Sequence, residues 1–155
     1  MAAPTIDVVG IGNAIVDVLA QADESFITAE KLAKGTMALI DEDRARALYE
    51  RMGSGLEASG GSAANTIAGI ASLGGKAAYI GKVADDLLGK VFAHDLRATG
   101  VRYETAPLHG GPATARCLIL VTPDAQRTMN TFLGASVEFQ AGDIDRSLVE
   151  AAQVT

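Results

Sequence analysis

Short apolar runs alternate along this chain with segments whose apolar residues recur at helical spacing. Ile6-Asp7-Val8-Val9-Gly10-Ile11 is a β-branched run ending in Gly10 and Gly12, which predicts a buried strand. Ala14 to Ala20 predicts a second strand and Thr36 to Ile40 a third, with the elements of a short helix over Ser25 to Ala33 closed by Gly35. Asp41 to Met52 opens on three acids and spaces Ala45, Leu48, Tyr49 and Met52 on one side, which predicts a helix.

Beyond Gly60 the pattern sharpens. Ser62 is placed to cap a helix from Ala63 to Leu73, with Ala64, Ile67, Ala68 and Ala71 on its apolar face and Gly74-Gly75 as its stop. Ala77 to Ile80 reads as a strand. Asp85 or Asp86 then opens a helix through Leu88, Phe92 and Leu96 to Gly100. This alternation predicts an α/β domain with a mainly parallel sheet. Thr114 to Thr122 and Arg127 to Leu133 flank the turn Pro123-Asp124-Ala125-Gln126, a hairpin that breaks the alternation and predicts a small extra sheet. Asp143 to Gln153 reads as helical, and the pattern calls for a further strand at Val154-Thr155. An α/β chain stopping there is expected to be incomplete, because a parallel sheet needs both faces covered and its strands paired.

With 155 residues, the chain is long enough for one domain, and 48% hydrophobic against 21% charged residues is a globular balance. No apolar run approaches the roughly 18 residues of a membrane span, and Met1 to Thr5 lacks the basic start and apolar stretch of a signal peptide. Cys117 is the single cysteine, so no internal disulfide forms and a reducing cytoplasm is the default. A net charge of -6 and 5% aromatic residues argue against a nucleic-acid surface. Arg44, Arg46 and Arg51 alternate with acids and read as a solvated helix face; Lys82 and Lys90 read as surface charges. His94 and His109 have no metal partner at ligand spacing, and nothing marks Cys117 as a nucleophile.

Two constellations carry candidate chemistry. Gly10-Ile11-Gly12 begins like a dinucleotide fingerprint, but Ile15 replaces its third glycine and a strand follows where a helix is required. No Walker-type phosphate loop is present. Asp17 stands among Ile15, Val16, Val18 and Leu19, where a carboxylate is costly to bury unpaired. On a straight strand Asn13 and Asp17 would share a face roughly 13 Å apart; a bend near Gly12 would bring both toward one polyhydroxylated ligand. An ionised Asp accepts hydrogen bonds from two adjacent hydroxyls. The plainer alternative is an outward acid on a half-exposed strand. Gly60-Gly61-Ser62-Ala63-Ala64-Asn65 lets backbone approach a ligand closely, with Asn65 in the first helical turn, though the same residues also serve as an ordinary loop and cap.

Those six residues, followed by Leu73-Gly74-Gly75, Ile80-Gly81-Lys82-Val83 and Asp85-Asp86-Leu87-Leu88-Gly89, resemble the first signature of the ribokinase-like (PfkB) kinases in order and spacing. Gly12-Asn13 with Asp17, and Arg127-Thr128 after the turn, are similar to that family too. The resemblance spans nearly the whole chain and implies a Rossmann-type layered α/β/α domain with a β-sheet lid over about 14–20, 36–40 and 114–132. Ser62 departs from the lysine of ribokinase and is similar to adenosine-kinase-like members. By this resemblance Asp17 would grip sugar hydroxyls with Asn13 and Asn65 assisting. Gly60, Gly61 and Ser62 would wall the ribose, and Met129 and Thr131 would face the base or sugar.

The resemblance further implies ATP and Mg2+ as cofactors, held mainly by a C-terminal half with a Gly-Ala-Gly-Asp segment. That segment does not occur here; Gly142-Asp143 lacks the preceding Gly-Ala. Residues 1–155 alone are therefore expected to have no kinase activity. The expected partner is a small nucleoside or sugar, with a ribokinase- or fructokinase-type sugar kinase as the alternative. A non-catalytic binding or assembly module is the reading from another class. A dimer through the lid sheet, or pairing with the missing half, would cover the open sheet edges.

Overall fold

The structure, a computed structural model, describes residues 5–155; residues 1–4, read above for a targeting signal, lie outside the described residues. In chain order the elements are β1 (Ile6–Ile11), β2 (Ile15–Gln21), α1 (Glu24–Ala29), β3 (Met37–Leu39), α2 (Glu42–Arg51), β4 (Leu56–Gly60) and α3 (Ser62–Ser72). They continue as β5 (Ala77–Ile80), α4 (Leu87–Ala98), β6 (Arg102–Tyr103), β7 (Ala115–Val121), β8 (Arg127–Phe132), α5 (Arg146–Glu150) and β9 (Ala152–Val154). Among the described residues no helix is long and apolar enough to cross a membrane.

The strands form two sheets. The first has the order β6-β5-β1-β9, and every pair in it is parallel. Alternation along β1 sends neighbouring residues to opposite faces. Val8 packs with Ala64, Ile67, Tyr79, Phe92 and Leu96 on the side of α3 and α4. Val9 packs with Ala78, Ile80 and Leu148 on the side of α5. The result is the expected α/β/α layering. Asp86 fixes the start of α4: its carboxylate accepts from Gly89 N at 2.8 Å and from the Thr114 hydroxyl at 2.6 Å, tying the helix to the approach of β7.

Tyr79, Phe92 and Tyr103 centre the first core, with ring centroids 5.4 to 6.1 Å apart. Tyr103 donates its hydroxyl to Gly81 O at 2.8 Å, but the fully buried Tyr79 hydroxyl has no partner among the described residues. An unmatched buried hydroxyl costs about 1 kcal/mol or more. Tyr79→Phe is therefore expected to raise stability by about 1 kcal/mol, read as a shift of the urea midpoint at constant slope.

The second sheet has the order β3-β8-β7-β2-β4 and is mixed: β2 runs parallel to β7 and antiparallel to β4, while β7 and β8 form the expected hairpin. One face carries Val18, Leu118 and Leu120 and packs on Ile27 of α1 and Leu48 of α2. The opposite face carries Asp17 and, in the same register, Cys117 of β7, Thr131 of β8 and Leu39 of β3. Met37, Leu39 and Leu56 lie on this face and are 57%, 63% and 69% exposed.

Several expectations change. Ser62 does not cap α3; Gly61 is the capping residue at φ 90°, and Ser62 is the first helical residue, its carbonyl accepting from the Thr66 hydroxyl. The single helix expected over Asp143 to Gln153 is broken. Asp143 closes a 3-10 turn (Ala141–Asp143), Asp145 caps α5 by accepting from Ser147 N and Leu148 N, and Ala152–Val154 leaves as β9 to pair with β1. Lys82 is no surface charge: its side chain is 12% exposed and meets Asp143 at 2.5 Å. Arg44 and Arg51 both reach Glu30 rather than standing free in solvent.

Candidate functional site

The site grows from the crossing between the two sheets. After β1 the chain turns through Gly12, Asn13 and Ala14 and enters β2 at Ile15, so Asn13 precedes the strand instead of sharing its face with Asp17. β4 returns antiparallel beside β2, pairing Ile15 with Gly60, and passes directly into α3. This brings the diglycine against the residues predicted from the opposite end of the motif.

The contacts are close. A Cβ on Gly60 would overlap the Asp17 carboxylate, 2.6 Å from its Oδ1. A Cβ on Gly61 would stand 2.8 Å from Asn13 O, and the φ of 90° is one that side-chain-bearing residues rarely adopt. Gly61 is required by its backbone, while a Cβ at Gly60 would have to displace the Asp17 carboxylate. Asn13, Ser62 and Asn65 expose their side chains around this junction, and the Asn65 amide N–H donates to Gly61 O at 2.9 Å within the first turn of α3.

Asp17 itself is half-buried, and no hydrogen bond or ion pair holds its carboxylate among the described residues. Burial pushes its pKa above the ordinary 3.8. A bare carboxylate on a largely apolar sheet face keeps free acceptor capacity of the kind that hydroxyl groups fill by donating hydrogen bonds. Next to it Cys117 is 7% exposed, its thiol pushed up by burial and by the Asp17 charge. The Thr131 hydroxyl donates to Cys117 Sγ at 3.2 Å. Asp17, Cys117 and Thr131 thus form a row across three strands. Met129 joins the same face two residues earlier, paired with Met37 and Ile119.

The structure brings Asp17 to Gly60 and Asn13 to Gly61, and aligns Thr131 and Met129 with Asp17 on one face. Cys117, read from the sequence as a small strand residue with no sign of a nucleophile, stands beside Asp17 in the second sheet. The turn held its signal: once Thr122 N bonds Gln126 O at 3.0 Å, antiparallel counting puts Cys117 opposite Thr131. Among the described residues no group of three or more His, Cys, Asp or Glu side chains gathers to hold a metal. The junction thus offers a magnesium ion no ready-made cluster of protein ligands.

The parallel α/β body, with a second sheet reached through a diglycine turn, has the ribokinase-like architecture. The pfkB family carbohydrate kinase pattern matches residues 35–155, and the chain belongs to that family. It is similar to the adenosine kinase from Sinorhizobium meliloti, at 57% identity and a TM-score of 0.90, with 97% of this chain and 46% of that one covered. It is similar also to a probable sugar kinase from Rhizobium etli CFN 42, at 52% identity and a TM-score of 0.91, covering 98% and 46%. Fructokinase-2 of Solanum lycopersicum is 30% identical over 101 residues, 64% of this chain and 31% of that protein. The chain thus spans under half the length of the relatives it matches.

Proposed function

We propose that this chain forms the acceptor-binding portion of a kinase that transfers the ATP γ-phosphoryl group to a primary hydroxyl of a nucleoside, adenosine in the first instance. The observation that carries the reading is the Asp17 carboxylate, unpaired, half-buried and pressed against Gly60 on an otherwise apolar face. A ribose supplies two adjacent hydroxyls to such an acceptor, and a base supplies an apolar surface for Met37, Leu39 and Met129. Asn13, Ser62 and Asn65 would add polar contacts at the rim, and Gly60 and Gly61 would let backbone approach the sugar. The second sheet would act as the lid, excluding water from the transfer. The adenosine kinase at 57% identity supports the nucleoside over the sugar.

A sugar acceptor is the second reading, favoured by the probable sugar kinase at 52% identity and the fructokinase. ATP and Mg2+ would be held mainly by residues outside this chain. Here the chain's own residues bind and orient the acceptor, since phosphoryl transfer rests on positioning and charge stabilisation.

The test is ADP release by the full-length protein with adenosine, ribose and fructose. Adenosine is expected to exceed either sugar in kcat/KM by about 100-fold, because ribose and fructose offer hydroxyls to Asp17 but lack the base that would cover Met37, Leu39 and Met129. A reversed order makes the protein a sugar kinase. Turnover by residues 1–155 alone would overturn the division of labour, and turnover with none of the three acceptors would leave the binding-module reading standing.

A further inference from the structure

The second sheet carries a cleft on its other face. α1 ends in a Schellman motif, with Leu32 N bonded to Ile27 O and Lys31 N to Thr28 O, both at 3.0 Å. The left-handed position of that motif is usually glycine, yet here it is Lys31 at φ 54°. Lys31 opens onto a cleft of about 620 Å³ between the α1–β3 connection, α2 and strands β3 and β8. Glu30, Arg44, Arg51 and Asn130 line it with Lys31.

The Glu30 carboxylate is 11% exposed and accepts from Arg44 Nη1 and Arg51 Nη2, both at 2.9 Å. Arg44 Nη2 also donates to Glu30 O at 2.8 Å. Three cations against one carboxylate (3 − 1) leave the lining at +2, on a chain whose net charge is -6. Arg51 stays 52% exposed, with donors beyond the one Glu30 takes. Asn130, 2% exposed, contributes the decisive atom: its side-chain Nδ2 is buried without an acceptor among the described residues. An unsatisfied buried donor beneath an excess of positive charge lacks one thing, an acceptor-rich anion.

We propose that this cleft binds a small phosphoryl oxyanion, inorganic phosphate or the phosphoryl group of a small phosphorylated compound. Asn130, buried beneath the cleft, turns its unsatisfied Nδ2 to the anion, and Lys31 and Arg51 close on it from the rim. A phosphoryl group offers three acceptor oxygens to these separate donors, one more than a carboxylate. The site is distinct from the Asp17 face, because alternation along β8 sends Asn130 to the opposite side from Met129 and Thr131. It does not depend on which acceptor the kinase uses.

The test is NMR of the full-length protein titrated separately with inorganic phosphate and pyrophosphate, following the Asn130 side-chain amide. A saturable shift in the millimolar range or tighter is expected. Lys31→Gly and Arg51→Ala should each weaken it at least about five-fold, a loss of the order of one charge-assisted contact. Lys31→Gly should also raise Tm, since glycine suits the left-handed position, which separates lost binding from lost fold. Asp17→Asn should leave the titration unchanged. An Asn130 amide that does not move, or one whose titration ignores both variants, overturns the proposal.

Discussion

Asp17→Ala in the full-length protein is expected to lower kcat/KM for the acceptor by about 30- to 1,000-fold while leaving the fold intact. Two charge-assisted hydrogen bonds to adjacent hydroxyls contribute about 2–4 kcal/mol together, and each 1.4 kcal/mol is a factor of ten. Stability should move the other way. The carboxylate is unpaired and its pKa is raised by burial, so the ionised form destabilises the fold at neutral pH. Asp17→Asn is therefore expected to stabilise the protein at pH 7 by about 0.5 kcal/mol after allowance for solvent screening. That difference is fully present above the folded-state pKa and vanishes as pH falls below the ordinary 3.8. Acceptor affinity carries the opposite sign and fades as pH falls through the raised value. Urea titrations across pH and initial-rate kinetics read the two effects separately; a variant that loses both stability and affinity would make Asp17 a structural residue.

Gly60→Ala should be as damaging by a different route. Its Cβ would overlap the Asp17 carboxylate, so either that group turns away or β4 separates from β2. Overpacking of this kind costs about 1–3 kcal/mol, and a displaced carboxylate should raise KM at least about ten-fold. The double variant decides between causes. With Asp17→Ala already in place the carboxyl group is gone, and adding Gly60→Ala should cost less than half its single-variant value. Undiminished cost in that background would assign the glycine to backbone needs alone.

Much of this architecture is legible in residue order. β1, β2 and the β7–β8 hairpin announce themselves through β-branched runs and a four-residue turn, and α2 and α4 through acids ahead of helical spacing. β4 does not. Leu56-Glu57-Ala58-Ser59-Gly60 has no β-branched residue, and only pairing with β2 makes it a strand. β6 and β9 are two and three residues long, below the length at which periodicity speaks. Asp17 stands out as an acid in an apolar run. The Lys82–Asp143 pair joins residues 61 apart, and nothing local in either segment names the other.

The route of the chain between its two sheets has a mechanical corollary. Two of the crossings are the Gly12–Ala14 bend and the Gly60-Gly61 step, the same backbone that borders Asp17. Any swing of the second sheet away from the first must rotate dihedrals there, so gripping and pivoting share one set of atoms. Under the proposed function, occupancy would stiffen the joint directly, and release of the small molecule and loosening of the joint would be a single event rather than two steps in series.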